Sequence, residues 1–144
     1  MWADVLLSAE HAHLLRLAVW AAGSVLAGTG LIAYLRWRGR SAPLLFHFGL
    51  QTAAWGFVDL ALVWAAQDSL VLRDLSSARR LERFLWLNTG LDAGYVAVGI
   101  TLGLTGWWLG RRLGAVGAGL GIVAQGLALL LLDLVLANQL SRMV

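Results

Sequence analysis

Long apolar runs dominate this chain, and short polar or charged connections cut them into four. The runs, at 14–35, 44–66, 84–109 and 113–140, each reach the roughly 20 residues that a membrane-spanning helix requires. They are continuous rather than alternating, which argues against a membrane β-barrel. Almost nothing lies between them, so the pattern predicts one all-α unit, an integral-membrane four-helix bundle occupying 1–144 as a single transmembrane domain. The stretch 68–83 carries Leu70, Val71, Leu72 and Leu75 among charges and reads as an interfacial segment. Within it, Ser76 or Ser77 is a candidate early start for the third helix.

Punctuation supports these divisions. Ser41 followed by Pro43 has the form of a cap and first turn for the second helix, and Gly39 and Gly110 have the form of stops for the first and third. Arg36, Arg38 and Arg40 fill the first connection, and Arg111 and Arg112 fill the third, with no acid in either. The positive-inside rule therefore places connections 1 and 3 in the cytoplasm and both termini outside, in a bacterial-type inner membrane. The second connection balances four arginines against three acids, a net of about +1, and suits the outer side. Trp2, Trp64 and Trp86 then fall at outer helix ends and Trp37, Trp107 and Trp108 at inner ends, as interfacial belts require.

Composition narrows the chemistry. The chain is 60% hydrophobic and 13% charged, against about 25% charged in an average soluble domain. It has no cysteine, which excludes disulfides, thiolate metal sites and thiol redox chemistry. All eleven basic residues are arginine, and they cluster at helix ends, so the net charge of +3 does not point to nucleic acid. Asp4 and Glu10 precede the first apolar run where a signal peptide has a basic region, so the first helix is expected to be retained.

Small residues predict how the helices meet. Asn88, Asp92, Tyr95, Gly99, Gly103, Gly106 and Gly110 follow one another at steps of three and four, one continuous helical face. Gly114, Ala118, Gly121, Gln125 and Ala128 form a matching stripe on the fourth helix, with Gly119 and Gly126 beside it. Such spacing lets backbones approach closely in lipid, where van der Waals packing is the main attraction. A tight pair of helices 3 and 4 is therefore expected. Gly23, Ser24, Ala27 and Gly28 give the first helix a weaker version, suited to the bundle or to a homo-oligomer.

The polar residues of the spans carry the functional reading. Asp59 and Asp133 each lie roughly 10 Å below the outer helix ends and Asp92 roughly 12 Å, so three carboxylates on three helices share one depth. Glu10, His13 and Arg16 come to the same outer end on the first helix, and Asn88 sits about a turn above Asp92. An ionised Asp at the centre of a span costs about 2.5–3.5 kcal/mol on insertion scales, so these groups should face each other, water or partners. They read either as a satisfied structural network, with Arg16 or Arg83 pairing one Asp, or as a pocket open to the outside. Trp55, one turn from Asp59, Tyr95, three residues from Asp92, and Trp20 at similar depth add aromatic faces suited to a desolvated cation. Gln51 and Gln125 would be the next polar steps inward, or simply bond across helices.

Three functions follow as expectations: an intramembrane pocket binding or transporting a proton, metal ion or organic cation; an accessory subunit packing against a larger membrane complex; or a binder of haem, quinone or metal. A metal would use Asp59, Asp92, Asp133, Glu10 and His13, an oxygen-rich set without a local ligand motif. A bis-histidine haem is disfavoured, since His11 and His13 lie at the outer end and His47 at the inner end. No catalytic constellation is present, and the GAVGAGLG run at 114–121 lacks the strand that a dinucleotide loop needs. The length, and an acid beside aromatics, are shared with small multidrug resistance exporters. Those carry their essential Glu in the first helix, where 14–35 holds no acid, and the chain is not assigned to them.

Overall fold

In the computed structural model, which describes residues 1–143, the chain forms four helices: α1 (Trp2–Trp37), α2 (Pro43–Gln67), α3 (Leu75–Trp108) and α4 (Leu113–Ser141). They make an all-α four-helix bundle. α1, α2 and α4 are each long and apolar enough to cross a membrane, which makes this a multi-pass membrane protein. α3 is nearly as long as α1, but Asn88, Thr89, Asp92, five glycines and the charged first turns dilute its apolar character.

Two helices start earlier than the apolar runs suggest. α1 begins at Trp2 because its buried stripe, Leu6, Glu10, His13, Leu17, Ala21, Ser24 and Gly28, extends at steps of three and four through the polar N-terminal turns. α3 begins at Leu75, inside the stretch expected to be interfacial, and its buried residues Ala78, Leu85, Asp92, Gly99 and Gly106 recur every seven positions. That heptad repeat keeps one seam of α3 against its neighbour over its whole length. At 1.5 Å per residue, α1 and α3 run to roughly 50 Å, well beyond a hydrocarbon core of about 30 Å.

The caps differ in detail from expectation. Ala42, not Ser41, occupies the N-cap of α2, with no side-chain bond, while Pro43 opens the helix where its missing N–H costs nothing. Asp74 caps α3: its carboxylate accepts from the Ser77 amide at 2.8 Å and from the hydroxyls of Ser76 and Ser77, so both serines serve the cap from inside the first turn. Gly39 (φ +59°) and Gly110 (φ +88°) follow the ends of α1 and α3 in the left-handed region, where glycine carries no Cβ penalty.

α4 is the central helix. It packs along α3, along α2 and, less extensively, against α1, while α1 packs along α2. Among the described residues, no Cα of α2 comes within 8 Å of a Cα of α3. The glycine stripes of α4 divide accordingly. Gly119 and Gly126 face α3: a methyl on Gly126 would sit 3.1 Å from the Asp92 carbonyl oxygen, and one on Gly119 would meet the Gly99 carbonyl at 2.5 Å. Gly114, Gly117 and Gly121, by contrast, face α2 at His47, Leu44 and Gln51. The stripe through Gly114 and Gly121, expected to answer helix 3, therefore serves α2, and the two glycines beside it hold α3. One helix touching three neighbours needs small residues on more than one face.

Candidate functional site

Between a cluster of Leu6, Ala78, Leu85, Leu136, Ala137 and Leu140 near the chain termini and the glycine-packed half of the bundle, the helices line a cavity of about 440 Å³. The separation of α2 from α3 creates it. Asp59, Asp92, Asp133, Asn88, Tyr95, Trp55, Glu10 and His13 all line it, so eight of the residues singled out in the sequence meet around one space. Most of the remaining wall is leucine, with Val58 and Phe84.

Four polar contacts tie this wall together. The Trp20 indole N–H donates to Oε1 of Gln125 at 3.0 Å, and the Gln125 amide donates to Asp59, which joins α1, α4 and α2 in one chain. His13 Nε2 lies 3.4 Å from Asp133 Oδ1, joining α1 to α4. Arg73 reaches from the connection between α2 and α3 to Glu10, with bonds of 2.7 and 2.9 Å to its two carboxylate oxygens. A forked guanidinium on a carboxylate is among the strongest polar pairs available to a protein.

Asp92 differs from the other acids. It is 5% exposed and lines the cavity, yet its buried Oδ2 has no hydrogen-bond partner among the described residues. Buried polar atoms are almost always satisfied, and among the described residues only Asp92 Oδ2 and His13 Nδ1 are buried without a partner. One turn further along α3, the Tyr95 ring meets Trp55 edge to face, with centroids 5.1 Å apart, bridging α3 to α2 at the cavity wall.

The remaining sequence candidates fall elsewhere. Gln125 sits behind Asp59 as its hydrogen-bond donor and Trp20 behind Gln125. Gln51 packs its Cβ against Gly121, away from the cavity wall. Arg16 is exposed and makes no ion pair among the described residues; neither it nor Arg83 neutralises an aspartate. That role at Glu10 belongs to Arg73, which sequence reasoning missed. Its 63-residue separation from Glu10 leaves no local signal. Among the described residues no group of three His, Asp or Glu side chains is disposed to hold a metal ion, so the five candidate ligands do not assemble into a metal centre. His47 lies against Gly114, far along α2 from the cavity, and His11 is exposed.

Residues 16–134 match a family of unknown function, DUF6992. The chain belongs to this family. The matched region runs from within α1 to near the end of α4 and includes Asp59, Arg73, Asp92, Gln125 and Asp133, while Glu10 and His13 lie before it. No curated protein and no solved structure shows a significant match.

Proposed function

We propose that this chain is a four-span inner-membrane protein, with both termini outside, that binds an organic cation in the cavity between α2 and α3. The observation that carries the reading is Asp92, a buried carboxylate whose Oδ2 has no donor, at the wall of a cavity of about 440 Å³. Sites of roughly 300–1,000 Å³, mostly apolar with a few convergent polar groups, suit small organic ligands, and this volume far exceeds what a bare ion needs. Trp55, Tyr95 and Phe84 offer π faces to a cation. Asp59 adds a second carboxylate, which Gln125 holds in place. Asp133 and Glu10 already have partners in His13 and Arg73.

The reading is tested with tetraphenylphosphonium and the purified protein in lipid nanodiscs. Saturable binding at one ion per chain, weakened on the order of tenfold or more by Asp92→Asn, is the expected result. Absence of saturable binding to the parent protein rules the pocket out.

A second reading, a subunit packing against another membrane protein or a second copy, has its own observation. Gly90 and Gly94 on α3, and Gly23 and Gly30 on α1, have open space where a Cβ would stand, so their small faces are free for another helix. A stable partner or a discrete homo-oligomer after mild solubilisation supports this reading, and a monodisperse single chain argues against it.

A further inference from the structure

The cavity has two sides on which a ligand could arrive, and they differ in chemistry. At the outer end, residues 68–74 cross over from α2 to α3, and Ser69, Leu70 and Arg73 of this strap line the cavity. Arg73 fastens the strap to α1 through the forked pair with Glu10, whose side chain is buried. The pocket expected to open outward is therefore strapped over on its water side.

The lateral side is different. α2 and α3 stand apart, and side chains that line the cavity between them are also open to the surroundings: Val58 is 45% exposed, Leu62 56%, Phe84 56% and Leu91 52%. Val58 and Leu62 belong to α2, which is long and apolar enough to cross a membrane, and Phe84 and Leu91 stand on α3 across the gap, so in the four-span reading above what surrounds them is lipid. Their apolar edges form a slot that leads from the acyl phase to Asp92 and Asp59.

We infer that the slot between α2 and α3 is a lipid-side portal, and that the ligand is a single-chain amphiphilic cation. Its charged head lies against Asp92 and its alkyl tail lies between Leu62 and Leu91. This rests on the cation-binding reading above and specifies the ligand class and its route. The charge on the head answers the unpaired carboxylate. The tail answers an apolar slot that a water-soluble ion leaves unfilled. Counted from water, through lipid, to the slot, each methylene favours binding by about fourfold.

The test uses the full-length protein in phosphatidylglycerol nanodiscs and a dodecyltrimethylammonium analogue with a diazirine at the end of its chain. After photolysis, peptide mass spectrometry locates the adducts that an excess of unlabelled dodecyltrimethylammonium removes. Competed adducts on the slot residues of α2 and α3, around Leu62, Phe84 and Leu91, are expected. Tetramethylammonium, the same head without the tail, should compete at least about tenfold less well. Competed adducts confined to the strap at 68–74 and the first turns of α1, or equal competition by tetramethylammonium, overturn the portal. In either case the tetraphenylphosphonium result stands or falls independently, so failure of the portal is separable from failure of the pocket. If no adduct is competed while tetraphenylphosphonium binds, the alkyl-chain ligand class is wrong.

Discussion

Arg73 and Glu10 form a two-bond clasp, at 2.7 and 2.9 Å, between the strap over the cavity and the first helix. The two residues lie at the end of the bundle that carries the N-terminus, and Glu10 is 6% exposed. The pair therefore does structural work for the roof of the site. The connection would otherwise hang between two helices whose backbones stand apart.

Arg73→Ala leaves a buried carboxylate without its donors. The expected loss is about 2 kcal/mol, the usual worth of hydrogen bonds to a charged group that is partly open to solvent. It is read as a lower thermal midpoint in detergent and as faster proteolysis of the strap. Arg73→Lys, which retains charge without the fork, should recover part of the loss. Equal stability of parent and Arg73→Ala would show that the clasp contributes nothing to the roof.

Gly99 and Gly94 lie five residues apart on α3 and should respond in opposite ways to the same change. A methyl on Gly99 would stand 2.7 Å from the Gly119 carbonyl oxygen and 2.8 Å from Val123, so Gly99→Ala must push α3 off α4 at a cost of about 1–3 kcal/mol. Nothing lies within 4 Å of a methyl on Gly94. Gly94→Ala should be neutral, or gain up to about 1 kcal/mol through better helix propensity. Unfolding curves of the two variants in one detergent decide this. A destabilised Gly94→Ala would instead reveal a helix packed there by a partner.

Gln125 satisfies two groups at once, and its removal strands both. In Gln125→Leu, Asp59 loses its amide donor and the Trp20 indole N–H loses its acceptor. The expected cost is about 1–2 kcal/mol, at the upper end for interhelical bonds in membranes. Cation binding should weaken along with stability because Asp59 is no longer held. A double-mutant cycle with Trp20→Phe isolates the link to α1. No coupling between the two positions would mean that the bond is not formed in the membrane.

Asp74 gives a pH dependence with a definite sign. The Ser77 hydroxyl, then the Ser77 amide and the Ser76 hydroxyl, hold its carboxyl below the usual range, at about 2. A group depressed on folding stabilises the folded form above its unfolded pKa of about 4, and that stabilisation fades as pH falls toward 2. Amide exchange at residues 76–78 should therefore stay protected from neutral pH down to about 4 and accelerate below it. In Asp74→Ala, exchange should be fast throughout, with no acid step. An acid step of equal size in that variant would assign it to another group.

The apolar runs alone determined four helices, because about 20 consecutive apolar residues have few other stable destinations; they suggested four spans, and of the helices formed α1, α2 and α4 are long and apolar enough to cross a membrane. Helical counting from the ends put Asp59, Asp92 and Asp133 at one depth, since rise per residue is fixed by backbone geometry. The heptad from Ala78 to Gly106 and the stripe from Leu6 to Gly28 were also present in the sequence. Their polar members, Glu10 and His13 above all, hid the early start of α1 from a reading based on hydropathy.

Which helices touch was decided by the tertiary structure alone. Glycines at helical spacing state that something comes close but not what: the face of α4 through Gly121 went to α2, and Gly119 and Gly126 went to α3. The gap between α2 and α3, and with it the cavity and its apolar slot, follows from α4 standing at the centre rather than from any residue in the slot. Arg73 could find Glu10 only once that arrangement brought the connection over α1. Local spacing fixes helices and depths through backbone geometry. Contacts between side chains 63 residues apart depend on how the helices pack, and no local pattern encodes that.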